Sequence, residues 1–417
     1  MSSANLLGIM LEKVNKKLPQ LFETDSNYFG LIKDRTKELK VSGRDTRIPI
    51  MLSGSGRANY FNSNGGDMGR GNSLMTQSAL ITTFDTLFAI ELTQKSIQET
   101  DSSEKAIDNG YKKNIQLGLQ QFQTFLDAQM VAANGTGFCG TVTAVASSGG
   151  VDTVTLGAGN GVKLIMVGQH IAVYNSALTV RRGDGFVTSV NIPNKTFTIS
   201  SIAGLAATDI LVAGNITSIP PAGIFGLNYF SNTAATGFLM GIDRATTPQI
   251  VPSGITASGS LTLPMVRLAI NILGDRLGME YLMKEKSKLK VIMHPAQVAA
   301  YEELIQLTMS TETSGKNSAV DMYFDNFTLA GVPVFKTYRQ ATNQIVFMCV
   351  DSFGRVISRS MGFHKDPNTG ISVFPIAGAS GGLSASWITY PTFSFNQFCD
   401  TPSGIVSINS LTVPTGY

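Results

Sequence analysis

The chain has 417 residues, a formal net charge of +3 and only 15% charged residues. Typical soluble domains carry roughly 25% charged residues, so this weakly charged surface favours burial against neighbouring subunits. The small charge, without a dense Lys/Arg run, excludes a dedicated nucleic-acid-binding polypeptide and leaves only weak, non-specific contact with DNA. No apolar stretch is long enough to cross a bilayer, which predicts no membrane partner.

The first part of the sequence predicts an arm and a hairpin. An amphipathic helix over residues 5–18 belongs to an arm that covers 1–45. Strand-like runs flank a stretch of turn formers, so residues 46–94 are interpreted as a protruding hairpin whose return strand is Ser78–Gln94. A loop of this length is uncommon in a compact domain unless it has a function, and we expect contact with another subunit. The tip side chains expected to make this contact are Arg57, Tyr60, Phe61 and Arg70.

The segment 95–135 predicts one long helix at about 101–135. Its apolar side chains recur every three or four residues and form a single stripe. The stripe includes Ile107, Tyr111, Ile115, Leu119, Phe122 and Leu126. Asp101 and Glu104 form a capping-box-like start, and an Asn-Gly pair supplies a stop that tolerates the left-handed conformation. At about 1.5 Å per residue the helix is roughly 50 Å long, which indicates an elongated, plate-like subunit.

The remaining sequence divides into three segments that differ in predicted secondary structure. Residues 136–218 contain only short β-rich segments bounded by turn formers, which predicts an inserted small antiparallel β-barrel or sandwich. Residues 219–370 alternate helical and strand patterns and are interpreted as an α+β domain. The tail at 371–417 is β-rich, and we expect its strands to contribute to the sheet on which the long helix packs. The fold class is therefore α+β.

Residues capable of catalysis or metal binding are few and dispersed. The histidines and cysteines show neither metal-ligand spacing nor a disulfide framework; they are His170, His294, His364, Cys139, Cys349 and Cys399. The Arg-Gly-Asp triplet at 182–184 is interpreted as a hairpin tip. Because an enzyme normally shows at least one convergent polar set, we expect a structural protein that is not an enzyme and has no metal and no cofactor.

Three local sequences, together with the order of these parts, resemble a known family. They are GIDRATTP at Gly241–Pro248, KVIMHPAQVAAYEEL at Lys290–Leu304 and LAGVPVFKT at Leu329–Thr337. The chain resembles the major capsid proteins of tailed bacteriophages, which have the Hong Kong ninety-seven fold. The resemblance implies an N-arm at 1–45, an E-loop hairpin at 46–94, a spine helix at 95–135, an axial domain at 219–370 and C-terminal strands at 371–417 that return to the peripheral domain.

The resemblance also implies a function and partners. The protein would assemble with itself into hexamers and pentamers of an icosahedral shell around double-stranded DNA, in the host cytoplasm, and reside in the virion. Separate scaffolding, portal and decoration proteins are further partners. There is no lysine between Lys40 and Lys95, so the E-loop crosslink of some family members is not expected. An encapsulin-like compartment shell and a β-rich surface adhesin or decoration protein are the alternatives, and an unrecognised hydrolase comes last.

Overall fold

A computed structural model describes residues 27–38, 45–53, 73–93, 104–157, 161–278, 280, 284, 288–309, 328–329, 331–366, 370–377 and 383–414. The three largest clusters of buried apolar side chains among these residues lie beneath a long helix, around a six-stranded sheet and inside a barrel. The helix predicted at residues 5–18 lies outside the described residues. In the part of the chain that is described, no helix is both long and apolar enough to span a membrane.

The N-terminal region contains short strands followed by the long helix. Its elements are α1 Asn27–Leu31, β1 Lys33–Asp34, β2 Asp45–Ser53, β3 Met75–Thr82, β4 Phe84–Leu87, β5 Ile90–Thr93 and α2 Glu104–Ala132. The single return strand predicted over Ser78–Gln94 is wrong. Only β3 pairs with β2, whereas β4 and β5 pair with strands from the C-terminal region. The reason is a break at Thr83, whose side chain is fully buried and marks the passage of the chain from the hairpin to the core.

The long helix α2 has 29 residues, which corresponds to about 44 Å. Its described part begins at Glu104, and it ends at Ala132, before the predicted end at 135; the predicted start and cap at Asp101 lie outside the described residues. Beyond its C-terminus Gly135 has a φ of +87°, the left-handed region that favours glycine at helix ends. The apolar stripe therefore predicts the helix, and Gly135 allows the chain to change direction after the helix ends.

The segment after the helix forms a closed antiparallel barrel. Its strands are β6 Phe138–Ser148, β7 Val151–Leu156, β8 His170–Tyr174, β9 Arg181–Asn191, β10 Thr196–Ser200 and β11 Ile210–Ala213, in the order β10-β7-β6-β11-β8-β9. Alternate side chains such as Val154, Ile171 and Phe197 fill its interior. Closure of the sheet leaves no unpaired edge strand. The side chains in the interior form a core that is separate from the other two.

The two ends of the barrel segment meet beside the C-terminus of α2. The Gly135 amide donates to the Ile224 carbonyl at 3.2 Å, and the Gly223 amide donates to the Gly135 carbonyl at 2.8 Å. A Cβ on Gly226 would lie 2.5 Å from the carbonyl oxygen of Ala133, so only glycine allows this close approach. The barrel is thus inserted between two segments that stay in contact with each other.

The rest of the chain forms a six-stranded sheet with helices. It also supplies strands that pair with β1, β4 and β5 of the N-terminal region. Its elements are α3 Leu227–Phe230, β12 Phe238–Leu239, β13 Ile242–Asp243, β14 Ser253–Thr256, α4 Leu263–Leu277, β15 Leu289–Met293, α5 Pro295–Met309, β16 Thr328–Leu329, β17 Val332–Lys336, β18 Ile345–Cys349, β19 Phe353–Phe363, β20 Phe374–Ala377, β21 Leu383–Thr389, β22 Pro391–Cys399 and β23 Val406–Asn409. The six-stranded sheet has the order β14-β23-β18-β15-β17-β16 and packs against α4 and α5.

Strand pairing corrects the boundaries predicted at 219–370 and 371–417. Strand β19, which the sequence placed in the α+β domain, pairs with β22 in the four-stranded sheet β1-β19-β22-β4. Strand β23, from the predicted returning tail, lies between β14 and β18 in the six-stranded sheet. The chain therefore crosses between the two sheets after Cys349 and again after Cys399. Strand β21 of the tail pairs with β5, and strand β22 pairs with β4. These pairings agree with the expectation that strands of the tail join strands from the start of the chain.

Candidate functional site

The hairpin formed by β2 and β3 has two chemically different faces. Because side chains alternate along a strand, Ile48, Ile50, Ala79 and Ile81 are buried on the inner face. The opposite face, here called the outer hairpin face, consists of Arg47, Pro49, Met51, Thr76, Ser78 and Leu80, all of them exposed. Met51 is 69% exposed. The outer hairpin face therefore presents apolar side chains to solvent on a paired, regular backbone.

The base of the hairpin is held by hydrogen bonds to the rest of the subunit. The Leu80 amide donates to the Met240 carbonyl at 2.7 Å, and the Asn396 side-chain amide donates to the Thr82 carbonyl at 2.6 Å. Across the hairpin, the Thr82 hydroxyl donates to the Asp45 carboxylate at 2.8 Å. These bonds fix the direction in which the hairpin leaves the subunit.

The predicted contact residues at the hairpin tip lie outside the described residues. They are Arg57, Tyr60, Phe61 and Arg70. The described residues that follow this segment, Leu74 and Met75, are large exposed apolar side chains. Met51 and Leu80, which lie on the strands rather than at the tip, are also exposed and were not among the predicted contact residues. A two-residue period, read from buried Ile48 and Ile50, would have assigned Met51 to the other face.

The stripe of α2 packs into the main core. Ile115, Leu119, Phe122 and Leu126 are all buried, and the Phe122 ring lies 5.9 Å from the Phe88 ring between centroids. The same cluster contains phenylalanines of β22, namely Phe393, Phe395 and Phe398. Ile107 and Tyr111 lie within α2, but their side chains are outside the described set. The four described side chains of the stripe are thus buried in the subunit, and the role of the helix as a spine stays a prediction.

Asp127 on α2 is a buried acid that the sequence analysis did not identify. Its carboxylate accepts hydrogen bonds from the backbone amides of Tyr28 and Phe29, at 2.8 and 3.0 Å. These amides belong to the first turn of α1, whose free N–H groups favour an acceptor. Asp127 therefore ties the short N-terminal helix to the long helix. Its one sequence signal is a carboxylate placed directly after Leu126 in the apolar stripe.

The barrel places the Arg-Gly-Asp triplet in a strand. Arg182, Gly183 and Asp184 lie inside β9, so the predicted hairpin tip is wrong. Each polar side chain has a structural partner, because Arg182 pairs with Asp209 at 2.7 Å and Asp184 with His170 at 2.6 Å. The triplet is thus part of the strand pairing and charge balance of the barrel.

Catalytic and metal-binding groups remain dispersed in the folded chain. Among the described residues, no three His, Cys, Asp or Glu side chains converge as metal ligands would. His294 contacts the Lys163 amine at 2.9 Å, and His364 stacks on Phe374. The cysteines are buried free thiols, and burial raises the pKa of Cys139 and of Cys399 to about 12. Such thiols are protonated at neutral pH and therefore unreactive.

No protein-family model and no curated protein matches the sequence. Among solved structures, a chain of the cyanophage A-1(L) capsid asymmetric unit is similar over 93% of each chain, with 10% sequence identity and a TM-score of 0.55. The chain has a phage capsid fold. The α+β capsid fold predicted from the sequence is therefore confirmed.

Two further particles contain chains of similar structure. A chain of the satellite phage P4 procapsid including the size determination (Sid) protein has 11% identity and a TM-score of 0.44, covering 96% of this chain and 91% of that chain. A chain of the capsid of the empty GTA particle has 10% identity and a TM-score of 0.44, covering 93% of this chain and 90% of that chain.

Proposed function

We propose that the chain is the major capsid protein of a tailed phage, and that it assembles with itself into hexamers and pentamers of an icosahedral shell that encloses double-stranded DNA. The observation that carries this proposal is the similarity in fold to a chain of the cyanophage A-1(L) capsid, over 93% of both chains. Function resides in sites rather than in a fold alone, so the surfaces of the subunit supply the further support.

The proposal assigns a role to each part of the subunit. The parts are the N-arm at 1–45, the E-loop formed by β2 and β3, the spine helix α2, the peripheral sheet β1-β19-β22-β4, and the axial domain of the six-stranded sheet with α4 and α5. A hairpin that leaves the subunit from a fixed base can lie over a neighbouring copy. Contacts of this kind are heterologous and close into rings and shells when their rotation closes.

The outer hairpin face supports the assignment through its chemistry. Met51 and Leu80 are exposed on the same face of one hairpin with Pro49 between them, and the exposed Leu74 lies just before β3 on the side of the tip. Exposed apolar residues that are contiguous mark interaction sites, whereas scattered ones are normal. With only 15% charged residues in the chain, little charge repulsion opposes association of copies.

A double substitution on the outer hairpin face tests the proposal. Met51→Asp with Leu80→Asp introduces two charges that a dry subunit interface cannot accommodate, while both positions tolerate charge in water. We expect folded subunits that fail to form shells, measured by light scattering and negative-stain electron microscopy. Ile192→Asp, at an exposed turn of the barrel, is the matched control and should leave shells intact. Wild-type protein that stays monomeric under all assembly conditions would refute the capsid role.

The hairpin tip and the DNA cargo give two further tests. Deleting residues 56–71 should leave a soluble subunit with lost or unstable shells, because the tip is proposed to contact neighbours rather than its own core. Shell yield and thermal stability equal to wild type would contradict this. Particles from the producing host are expected to protect double-stranded DNA against nuclease. Particles filled with a protein cargo instead would favour a compartment shell.

A further inference from the structure

A surface cavity beside the six-stranded sheet contains a buried cation. The cavity has a volume of about 640 Å³, which lies in the range of small-ligand sites. Its lining comes from the segment after α3, from the start of β14 and from one face of α4. The residues that matter for its chemistry are Arg244, Asp275 and Arg276, with apolar walls formed by Pro248, Val251 and Ile272. We name this cavity the Arg244 pocket.

Arg244 is buried without a counter-charge. The side chain is only 3% exposed. Its Nη1 donates to the Ala234 carbonyl at 3.3 Å, and its buried Nε forms no hydrogen bond with the protein. Within the described residues Arg244 forms no ion pair. Buried charges in proteins are normally paired, because an isolated ion loses its hydration. Burial also lowers the pKa of the Arg244 guanidinium, although a guanidinium stays protonated at physiological pH.

The backbone holds Arg244 in this position. It directly follows strand β13, and its amide donates to the Gly237 carbonyl at 2.9 Å. The ring of the adjacent Tyr229 is also held in place, because its hydroxyl accepts a hydrogen bond from the Met240 amide at 2.7 Å. The guanidinium is therefore presented by a tight hairpin rather than by a loose surface loop. A pre-oriented guanidinium loses little entropy when it binds a ligand.

We propose that the Arg244 pocket binds a single carboxylate group, held on the guanidinium of Arg244. The planar, forked donors of arginine match a carboxylate in two parallel hydrogen bonds. The charges lining the pocket are two arginines and one aspartate, a surplus of one positive charge that a carboxylate neutralises. Asp275 also lines the pocket, and its negative charge disfavours a doubly charged phosphate or a polyphosphate backbone, because like charges repel. The carboxylate comes either from a dissolved small acid or from a side chain of a neighbouring copy of this chain.

Thermal unfolding of the unassembled full-length subunit tests the site with acetate as the probe. Wild-type protein in acetate is compared with chloride at the same ionic strength and pH. Acetate at about ten times its dissociation constant should raise the unfolding temperature by about 2 °C. Arg244→Met should abolish this shift, while Arg267→Met, an exposed arginine on α4 outside the pocket, should retain it.

The sign of the substitution separates ligand binding from a structural role. Without acetate, Arg244→Met should unfold at the same temperature as wild type or higher, because it removes an uncompensated buried charge. In acetate, wild type should unfold at a higher temperature than Arg244→Met. A loss of stability that is the same in acetate and in chloride would overturn the proposal, since it would make Arg244 purely structural. Ala245→Asp, which places a carboxylate in the lining, should raise the unfolding temperature in chloride and remove the acetate response.

Assembled particles and phosphate distinguish the sources of the anion. Particles that no longer respond to acetate, and that lose stability with Arg244→Met, would show that a neighbouring copy supplies the carboxylate. Particles that respond as the subunit does would identify a dissolved acid. Inorganic phosphate or a short oligonucleotide that stabilises the subunit more than acetate would refute the carboxylate assignment. The subunit measurement does not require assembly, so its outcome is independent of the capsid role.

Discussion

Leu126→Ala tests whether the stripe of α2 stabilises the main core. The Leu126 side chain is 0% exposed and packs in the cluster that also holds Phe122 and the phenylalanines of β22. Removing three buried carbon groups costs about 2.4 kcal/mol at roughly 0.8 kcal/mol each, and the cavity left behind raises the loss of unfolding free energy to about 3–4 kcal/mol. This corresponds to a change in the unfolding equilibrium constant of two orders of magnitude or more.

The single tryptophan allows this core to be observed alone. Trp387 packs against the cluster beneath α2, and the chain contains no other tryptophan. Its fluorescence during urea unfolding therefore reports the main core and not the separate core inside the barrel. With a urea dependence of about 2 kcal/mol per M, the midpoint for Leu126→Ala should fall by about 1.5–2 M, measured on unassembled subunits.

Leu117→Ala is the matched control on the same helix. Leu117 is 50% exposed, so the same chemical change should alter the unfolding free energy by less than about 0.5 kcal/mol. Equal midpoints for the two variants, or a larger loss for Leu117→Ala, would refute the packing of α2 described here. A fall in the slope of the transition would instead show that unfolding of this core has lost its cooperativity.

Two further predictions concern a close approach and a buried histidine. Gly226→Ala should cost about 1–3 kcal/mol, because its Cβ would lie 2.5 Å from the backbone oxygen of Ala133; urea unfolding measures the loss. Burial, and secondarily the charge of Lys163, lowers the pKa of His294 to about 4, whereas histidine in an unfolded chain titrates near 6.5. Between pH 6.5 and pH 4 the unfolded state therefore binds more protons than the folded state. The free energy of unfolding should decrease by up to about 3 kcal/mol as the pH falls across this range.

Each of these predictions has its own control. Gly259→Ala places a Cβ where no heavy atom lies within 4 Å, and it should leave the unfolding free energy nearly unchanged. An equal cost at both glycines would contradict the steric argument. His294→Gln removes the titrating group, so its stability should depend less steeply on pH between 6.5 and 4 than that of wild type. Parallel pH profiles for the two proteins would show that His294 is not buried in its neutral form.

The sequence alone determined the elements whose signals are local. The stripe that contains Ile115, Leu119 and Phe122 predicts a long helix because apolar positions three and four residues apart fall on one helix face. Short β-rich segments between turn formers predicted the β insertion, because strands and turns are also recognised from neighbouring residues. The order of the parts, with three local sequences, also indicated the capsid fold.

Only the tertiary structure decided which segments meet. Strand β19 joins the sheet beneath α2 and β23 joins the six-stranded sheet, because pairing between distant strands depends on the path of the chain and not on their composition. The same reason hides Arg244 from sequence analysis. Its burial requires α4, which begins at Leu263, to close the cavity around it. An arginine in a turn-rich segment looks solvated until the fold places apolar walls beside it.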